Sequence, residues 1–223
     1  MKLIIFGILI IIGTLFGVTY FSNTGASMTI SSTVKDTQPD KAYPVAYLGG
    51  GCFWCLESQV RELEGVIYTR VGYQGGNVEN PTYEQISTGQ TGHAEVVEVT
   101  YNPELISYTE LITFFLTQGH DATQLNRQGV DVGTQYRSVI FYGNDKEKTF
   151  AVEAISTVNR GGYYTSKPIV TEISPLDNNA FWIAEDYHQQ YYEKYEEKNR
   201  TQHIRVRLKD KREPFTPTDK SLR

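Results

Sequence analysis

The order of apolar and polar residues divides the chain into four unequal parts. Residues 1–21 hold a predominantly apolar run without a charged side chain, from Leu3 to Phe21, which is long enough to cross the hydrocarbon core of a membrane. Residues 22–43, rich in Ser, Thr, Asp and Pro, predict a flexible linker. Mixed apolar and polar positions predict a folded domain over residues 44–205, and the charged, proline-broken residues 206–223 predict a disordered tail.

The apolar run predicts an uncleaved transmembrane anchor, with a cleaved signal peptide as the alternative. The run is long for the apolar core of a signal peptide, and Thr24 to Ala26 would make an imperfect cleavage site. Lys2, ahead of the run, favours an N-terminus kept inside. We therefore expect a membrane-anchored protein whose folded domain lies outside the cytoplasm, or a secreted or periplasmic protein if the segment is cleaved.

Within residues 44–205, strand-like alternation and helical periodicity follow one another along the chain. Strands are predicted over residues 44–50, 66–73, 93–101, 135–142 and 167–173, and helices over residues 52–63, 108–117, 145–159 and 186–198. Several of the connections are long and rich in glycine. This order favours an α+β fold of two layers, with helices packed on a mixed or antiparallel sheet.

Charge and composition narrow the range of partners. The formal net charge is -5, whereas proteins that grip a phosphate backbone usually carry a basic patch, so we expect no nucleic-acid partner. The chain holds 16 Tyr, and a ring that carries a hydroxyl suits a cleft that is partly wet. We see no cofactor motif and expect a monomer.

The candidate chemistry lies in the two cysteines of the segment GGGCFWCLE. A strand, a glycine turn and a helix would place Cys52 at a helix N-terminus, where free backbone N–H groups and the helix dipole lower the pKa of a thiol. Cys55 lies one turn further on, with its Cβ about 5–6 Å away. A disulfide needs roughly 3.5–4.5 Å, so the pair can bridge only after the first turn adjusts, which suits a bond that forms and breaks in a cycle.

The residues alone leave other uses of the two cysteines open. They could form a structural disulfide, although a loop this short constrains the unfolded chain little. They could be half of a zinc site, or two unreactive buried thiols. The histidines that a zinc site would need are scattered singly at His93, His120, His188 and His203, so we expect no metal. A thioredoxin-like disulfide exchanger also carries two cysteines at this spacing at the start of a helix.

Four segments in order resemble the A class of peptide methionine sulfoxide reductases. They are GGGCFWCLE, VGYQGGNVENPTYEQISTGQTGHAEVVEVTYNP, QGVDVGTQYRSVIFY and FWIAEDYHQQYY, and the resemblance runs from about Tyr47 to Tyr192. It implies that residues 44–205 are a catalytic domain with a fold related to ferredoxin-like sandwiches. It also implies reduction of the S epimer of methionine sulfoxide, protein-bound or free, to methionine without a cofactor.

The resemblance assigns the reacting groups. Cys52 would attack the sulfoxide sulfur as a thiolate, and Glu95, in the matching segment GHAE, would protonate the departing oxygen. Burial among apolar walls can raise the pKa of a carboxyl far enough for it to stay protonated near neutral pH. Glu95 lies in a largely apolar strand, and we expect the neighbouring Glu98 to be a solvated strand residue.

The resemblance also assigns the binding groups. Phe53 and Trp54 would form an apolar wall for the S-methyl group of the substrate. Tyr83 and Tyr136 would donate hydrogen bonds to the sulfoxide oxygen, and Asp131 would position the polar side of the bound methionine. Three further residues are expected behind the site or at its rim: Asp186, His188 and Tyr191.

Reaction at Cys52 would leave a sulfenic acid, which a second thiol converts to a disulfide. Many members of this family take that thiol from a C-terminal tail, but this tail has no cysteine. Cys55 is then the resolving candidate, and a thioredoxin-like reductant outside the cytoplasm would reduce the Cys52–Cys55 disulfide. The alternative enzyme is a membrane-tethered thioredoxin-like oxidoreductase, although no proline is well placed for the loop that this class needs. A binding module that recognises oxidised methionine without reducing it is the non-enzymatic alternative.

Overall fold

The computed structural model describes residues 42–176 and 180–200. The predicted anchor or signal segment (residues 1–21) and the predicted tail (residues 206–223) lie outside these ranges, as does nearly all of the predicted linker. Among the described residues, no helix combines the length and the apolar character that crossing a membrane requires.

A six-stranded sheet forms one layer of the domain. The strands of the described residues are β1 (Val45–Gly49), β2 (Val66–Gln74), β3 (Ala94–Tyr101), β4 (Arg127–Gln128), β5 (Asp131–Val132), β6 (Val139–Tyr142), β7 (Glu172–Pro175) and β8 (Trp182–Ile183). The sheet order is β7-β6-β1-β3-β2-β8, while β4 and β5 form a separate hairpin. Only the β6–β7 pair is parallel, so the sheet is mixed.

Helices form the second layer. They are α1 (Phe53–Val60), α2 (Tyr83–Ser87), α3 (Tyr108–Phe114), α4 (Asp145–Arg160) and α5 (Tyr191–Asn199). Apolar residues of α1, α3 and α4 pack on one face of the sheet and form the larger core cluster. The opposite face carries a small cluster, which includes Val96 and Phe141. The predicted two-layer α+β fold with a mixed sheet is confirmed.

Strand β3 is buried along its whole length and separates the two faces. Because side chains alternate along a strand, Glu95 points to the same side as Val97 and Val99 of the larger core. Glu98 points to the other side, where Arg70 donates two hydrogen bonds of 2.7 Å to its carboxylate. The expectation that Glu98 is solvated is therefore wrong, since this ion pair satisfies the carboxylate inside the protein.

Three predicted elements begin later in the structure than the pattern indicates. The strand predicted over residues 135–142 begins at Val139, because residues 134–136 form a single 3₁₀ turn. The strand predicted over residues 167–173 forms only from Glu172 onward, as β7. Val170 is not paired in the sheet, because its N–H donates to the carbonyl of Ala122. The helix predicted from residue 186 begins at Tyr191, after a series of turns.

Two further differences concern helix ends and short elements. The helix predicted over residues 108–117 is α-helical only to Phe114 and continues as a π-helical turn over Phe115–Gly119. Helix α2 was not predicted, although Thr82 and Gln85 form a capping box that stabilises its first turn. The short strands β4, β5 and β8 were also not predicted.

Candidate active site

Cys52 lies at the junction of β1 and α1, as the glycine turn predicts. The turn passes through Gly51, whose φ of +86° favours glycine because a side chain there would be strained. The Cys52 carbonyl accepts hydrogen bonds from the N–H groups of Cys55 at 3.1 Å and Leu56 at 3.2 Å. Cys52 is thus the N-cap of α1, and its own side chain makes no capping hydrogen bond.

The carboxyl group of Glu95 reaches the N-terminus of the same helix. The backbone N–H of Phe53 donates to Oε2 of Glu95 across 2.9 Å, and the Glu95 side chain is buried. Burial raises the pKa of Glu95 to about 8, and the negative charges of Asp131 and Cys55 act in the same direction, against the Phe53 hydrogen bond. A carboxyl that is mainly protonated at neutral pH therefore lies beside the candidate nucleophile.

The two thiols are reduced and hydrogen-bonded to each other. This hydrogen bond lowers the pKa of Cys55 to about 7, while it raises the pKa of Cys52 together with burial and the nearby charge of Glu95. The expectation that the helix N-terminus lowers the pKa of Cys52 is wrong for the resting site. The N–H group that would stabilise a thiolate is used by Glu95.

The structure brings the three predicted polar binding residues to this site. Tyr83 begins α2, Tyr136 ends the 3₁₀ turn, and Asp131 begins β5. The hydroxyls of Tyr83 and Tyr136 lie close enough for each phenol to influence the pKa of the other. Burial raises the pKa of both phenols, and the negative charge of Glu95 raises both values further. Both hydroxyls therefore lie close enough to Glu95 to interact with its charge. Burial also raises the pKa of Asp131.

Aromatic rings cover one side of the Cys52 turn. Trp54 is half-buried and stacks on Tyr191, with ring centroids 3.8 Å apart and planes tilted by only 6°. Its indole N–H donates to Nδ1 of His188 across 3.0 Å. Phe53 instead lies in the core with 1% of its surface exposed, against the rings of Tyr73 and His188. Trp54 therefore presents the larger apolar surface to the site.

His188 and Tyr191, expected behind the site or at its rim, form its aromatic support. His188 is completely buried, and burial lowers its pKa, so the ring is neutral at pH 7 and its Nδ1 accepts the hydrogen bond from the Trp54 indole N–H. Asp186 is exposed, and its carbonyl accepts a hydrogen bond from Lys194.

Glu185 and Tyr73 support the site without having been predicted. Glu185 accepts a hydrogen bond from the Tyr83 N–H at 2.9 Å through one oxygen and from the Tyr73 hydroxyl at 2.8 Å through the other. Burial would raise the pKa of Glu185, but these hydrogen bonds outweigh it and lower the pKa. Its carboxylate therefore fixes the start of α2 and hence Tyr83.

Glu57 and Tyr192 join α1 to the C-terminal part of the domain and were also not predicted. The buried Glu57 carboxylate accepts hydrogen bonds from Thr69 at 2.8 Å and from the backbone N–H of Gln190 at 2.9 Å. The Tyr192 hydroxyl lies 3.5 Å from the sulfur of Cys55. Glu57 lies in the quoted segment GGGCFWCLE and Tyr192 in FWIAEDYHQQYY, but neither spacing nor residue type indicates a partner so far away in the sequence.

The other described histidines serve local structure. His93 accepts a hydrogen bond from the Gly76 N–H at 3.1 Å, and its second ring nitrogen lies 2.8 Å from the Val78 carbonyl. His120 lies between the Phe115 carbonyl and the Ser138 hydroxyl. Over residues 42–176 and 180–200, no group of three or more His, Cys, Asp or Glu side chains is arranged to hold a metal ion.

Comparisons with known proteins agree with this arrangement. The sequence model of the family described as peptide methionine sulfoxide reductase matches residues 44–220. The chain is 51% identical over 152 residues to the peptide methionine sulfoxide reductase MsrA of Methanothermobacter thermautotrophicus, which covers 68% of this chain and 88% of that relative. It is 51% identical over 149 residues to the MsrA of Geobacter metallireducens, which covers 67% of this chain and 90% of that relative.

Solved structures give the same result. Methionine sulfoxide reductase A of Corynebacterium diphtheriae matches with a TM-score of 0.61 and 37% identity, over 71% of this chain and 77% of that one. Mxr1 from Saccharomyces cerevisiae in reduced form matches with a TM-score of 0.64 and 34% identity, over 72% of this chain and 90% of that one. None of these likenesses supports the thioredoxin-like alternative. The chain belongs to the peptide methionine sulfoxide reductase family, A class, and is an oxidoreductase that reduces methionine sulfoxide.

Proposed function

We propose that Cys52 is the nucleophile and Glu95 the acid in reduction of the S epimer of methionine sulfoxide. The electron pair of the Cys52 thiolate forms a bond to the sulfoxide sulfur, and the sulfoxide oxygen takes a proton from Glu95. The bond between the two sulfurs and the sulfur–oxygen bond of the substrate then break, so the oxygen finishes on Cys52 as a sulfenic acid and methionine leaves. The substrate sulfur is reduced by two electrons and the Cys52 sulfur is oxidised by two, so no other redox group is needed.

The hydrogen bond between Phe53 and Glu95 is the observation that carries this proposal. It fixes one carboxyl oxygen at the residue next to Cys52 and leaves the other oxygen to hold a proton. A pKa of about 8 keeps that proton in place at neutral pH, when the sulfoxide oxygen needs it. A solvated glutamate would be ionised there and could not act as the acid.

The remaining site residues are proposed to hold the substrate. The exposed part of Trp54 contacts the S-methyl group, and the buried Phe53 supports this wall from behind. The hydroxyls of Tyr83 and Tyr136 each donate to the sulfoxide oxygen, which places that oxygen near Glu95. Asp131 receives the polar end of the methionine. Because the raised pKa of each phenol keeps its proton, both remain donors up to high pH.

Cys55 is proposed to regenerate the enzyme. Its thiolate displaces the oxygen of the Cys52 sulfenic acid as water and forms a Cys52–Cys55 disulfide. The low pKa of Cys55 supports this role, since the thiolate is the attacking form. A thioredoxin-like reductant then opens the disulfide by thiol exchange.

The test offers each sulfoxide epimer of methionine separately to the full chain, with dithiothreitol as reductant. Methionine should form from the S epimer, and the Cys52→Ser variant should form none. Persistent turnover by Cys52→Ser would overturn the nucleophile assignment. Stable binding of sulfoxide without any methionine from the unchanged protein would favour the binding-module alternative.

We further propose that residues 1–21 anchor the enzyme to a membrane, with the catalytic domain outside the cytoplasm. The support is the uncharged run of residues 3–21, followed by a linker of low apolar content. In a bacterial host, the full chain should stay with membranes after alkaline carbonate washing, and protease added to spheroplasts should degrade its domain. A full-length chain in the soluble cytoplasmic fraction would contradict the proposal, and a shortened N-terminus by mass spectrometry would indicate a cleaved signal instead.

A further inference from the structure

The first turn of helix α5 contacts α1 and its C-terminal cap residue through side chains. Tyr191 stacks on Trp54, Tyr192 reaches Cys55, and the Glu193 carboxylate lies 3.2 Å from the Arg61 guanidinium. These contacts come from three consecutive residues of α5. The helix buries no residue of its own completely, so it is placed by these contacts and not by a core of its own.

The start of α5 is fixed as well. The residue before it, Gln190, has a left-handed backbone with φ of +46°, and its N–H donates to the buried Glu57 carboxylate across 2.9 Å. The Gln190 side chain bonds to the same carboxylate at 3.2 Å and to the Thr69 carbonyl at 3.1 Å. Because this junction anchors α5 to α1 at Glu57, two residues beyond Cys55, the position of Tyr192 relative to the Cys55 sulfur is set by the fold.

We propose that Tyr192 is a catalytic residue of the resolving step, whose hydroxyl donates a hydrogen bond to the Cys55 sulfur and stabilises it as the attacking thiolate. The inference rests on the proposed function, because it requires Cys55 to be the resolving thiol. The two atoms are 3.5 Å apart, a normal separation for a hydrogen bond to sulfur. A thiolate can only accept, so the phenol must be the donor when Cys55 is ionised.

The electrostatics agree with this direction of donation. The hydrogen bond with Cys52 is the largest cause of the lowered pKa of Cys55, and the contact with Tyr192 lowers it further, while burial and the contact with Cys55 raise the pKa of Tyr192. Each change is expected when the phenol keeps its proton and the thiol loses its own. Tyr192 therefore acts on the resolving sulfur, whereas Glu95 acts at the start of the helix beside Cys52.

The resolving step balances with these groups. The Cys55 thiolate attacks the sulfur of Cys52–SOH, a sulfur–sulfur bond forms, and the sulfur–oxygen bond breaks. The oxygen leaves as hydroxide and becomes water by taking a proton from solvent. The Tyr192 hydroxyl remains protonated throughout, since its donated hydrogen bond weakens as the charge leaves Cys55. One proton from solvent completes this step, and no electrons are needed until the disulfide is reduced.

The same contact bears on reduction of the disulfide. When a reductant thiolate attacks the Cys52 sulfur, Cys55 is the leaving group, and a thiol with a lower pKa leaves faster. Donation from Tyr192 to the emerging Cys55 thiolate should then speed the exchange. Both the formation and the opening of the disulfide should consequently slow when the hydroxyl is removed.

The experiment compares Tyr192→Phe with Tyr195→Phe in the full chain. Tyr195 lies on the same helix with 43% of its surface exposed, so its variant controls for loss of a phenol hydroxyl. In a single turnover, without reductant, Tyr192→Phe should form methionine at the normal rate. Below pH 7 its disulfide should form about threefold more slowly, because the smaller thiolate fraction is partly offset by the greater nucleophilicity of a thiolate with a higher pKa. The Cys52 sulfenic acid that persists is trapped with dimedone and measured by mass spectrometry.

A second readout separates this role from a merely structural one. In a Cys52→Ser background, the pH profile of Cys55 alkylation by iodoacetamide should move upward by about one pH unit when Tyr192→Phe is added. Equal disulfide rates and equal alkylation profiles with and without the hydroxyl would overturn the inference. A different result would show that the proposed function itself fails. If Cys55 is not the resolving thiol, the Cys55→Ser variant will keep normal turnover with thioredoxin.

Discussion

Glu95 and Phe53 are joined by a hydrogen bond of 2.9 Å between a buried carboxyl oxygen and the first backbone N–H of α1. The bond ties the central strand of the sheet to the helix that carries both cysteines. It also takes from Cys52 one of the N–H groups that a helix N-terminus would offer to a thiolate. Glu95 and a Cys52 thiolate would therefore bind the same Phe53 N–H group, and in the resting enzyme Glu95 occupies it.

Replacement of Glu95 by Gln should remove the acid and keep the shape of the side chain. We expect the single-turnover rate of methionine formation to fall by roughly 10²–10⁴-fold, the usual contribution of a general acid. Rapid quench with excess enzyme measures it. The matched control is Glu98→Gln on the same strand, where the carboxylate is paired with Arg70 on the opposite face. That variant should lose stability while its single-turnover rate changes little; a comparable loss of rate would contradict the acid role.

The rate of the same step should depend on pH through Glu95. Its pKa is raised by burial to about 8, so the active, protonated form predominates below that pH and is lost above it. The single-turnover rate of the unchanged enzyme should therefore be proportional to the protonated fraction of Glu95, which declines from about pH 8 upward. The measurement compares this profile with that of Glu95→Gln. Persistence of the same decline in the variant would assign it to another group.

Substitution of Cys55 by Ser tests the recycling route. The variant should form one methionine per enzyme molecule, because Cys52 is intact, and should then stop in the presence of thioredoxin and its reductase. A sulfenic acid on Cys52 should accumulate and react with dimedone, which intact mass spectrometry detects. Multiple turnovers at the normal rate on thioredoxin would show that another route regenerates Cys52.

The order of the main elements was predictable, because most depend on local patterns. Alternation located β3, and the glycine turn located the start of α1. The capping box of Thr82 and Gln85 would have revealed α2, since this motif is readable in the sequence. The 3₁₀ turn that carries Tyr136 was not predictable from its strand-like composition, because the site and not the local propensity determines it.

The chemistry of the site was predictable only in part. The resemblance named Cys52, Glu95 and the binding residues, and the structure brings most of these side chains together. The pKa directions of the two cysteines could not be predicted, because they depend on the hydrogen bond between the thiols and on Glu95, which is distant in sequence. The contact of Tyr192 with Cys55 spans 137 positions and leaves no local signal.

Glu57 should make the stability of the fold depend on pH. Burial raises its pKa in the folded state to about 7, compared with about 4.3 in an unfolded chain. The folded state then binds more protons between these two values, so its stability is greatest below about pH 4.3 and declines as the pH rises through 7. The whole contribution amounts to about 4 kcal/mol.

The corresponding variant is Glu57→Gln, followed by urea unfolding from pH 5 to 8. It keeps one oxygen and loses the other, so either Thr69 or the Gln190 N–H is left without its acceptor, and the variant should be less stable at low pH. Its free energy of unfolding should, however, fall less steeply with pH than that of the unchanged protein. Glu95 has a similarly raised pKa and leaves a residual slope in both proteins. Identical slopes would mean that Glu57 has an ordinary pKa in the fold.

The turn before Cys52 should tolerate no side chain at Gly51. Its φ is +86°, and a Cβ there would lie 2.6 Å from Cβ and Cγ of Gln128, whose amide is itself bonded to the backbone of Asp121. Gly129 is the matched control, since its φ is +60° but a Cβ would meet nothing within 4 Å. Gly129→Ala should cost only the backbone strain, about 1–2 kcal/mol. Gly51→Ala should cost more and should also lower kcat, because Gln128 cannot give way without moving the turn that positions Cys52. Urea unfolding and steady-state assays on both variants measure the difference, and equal losses would show that the contact with Gln128 is unimportant.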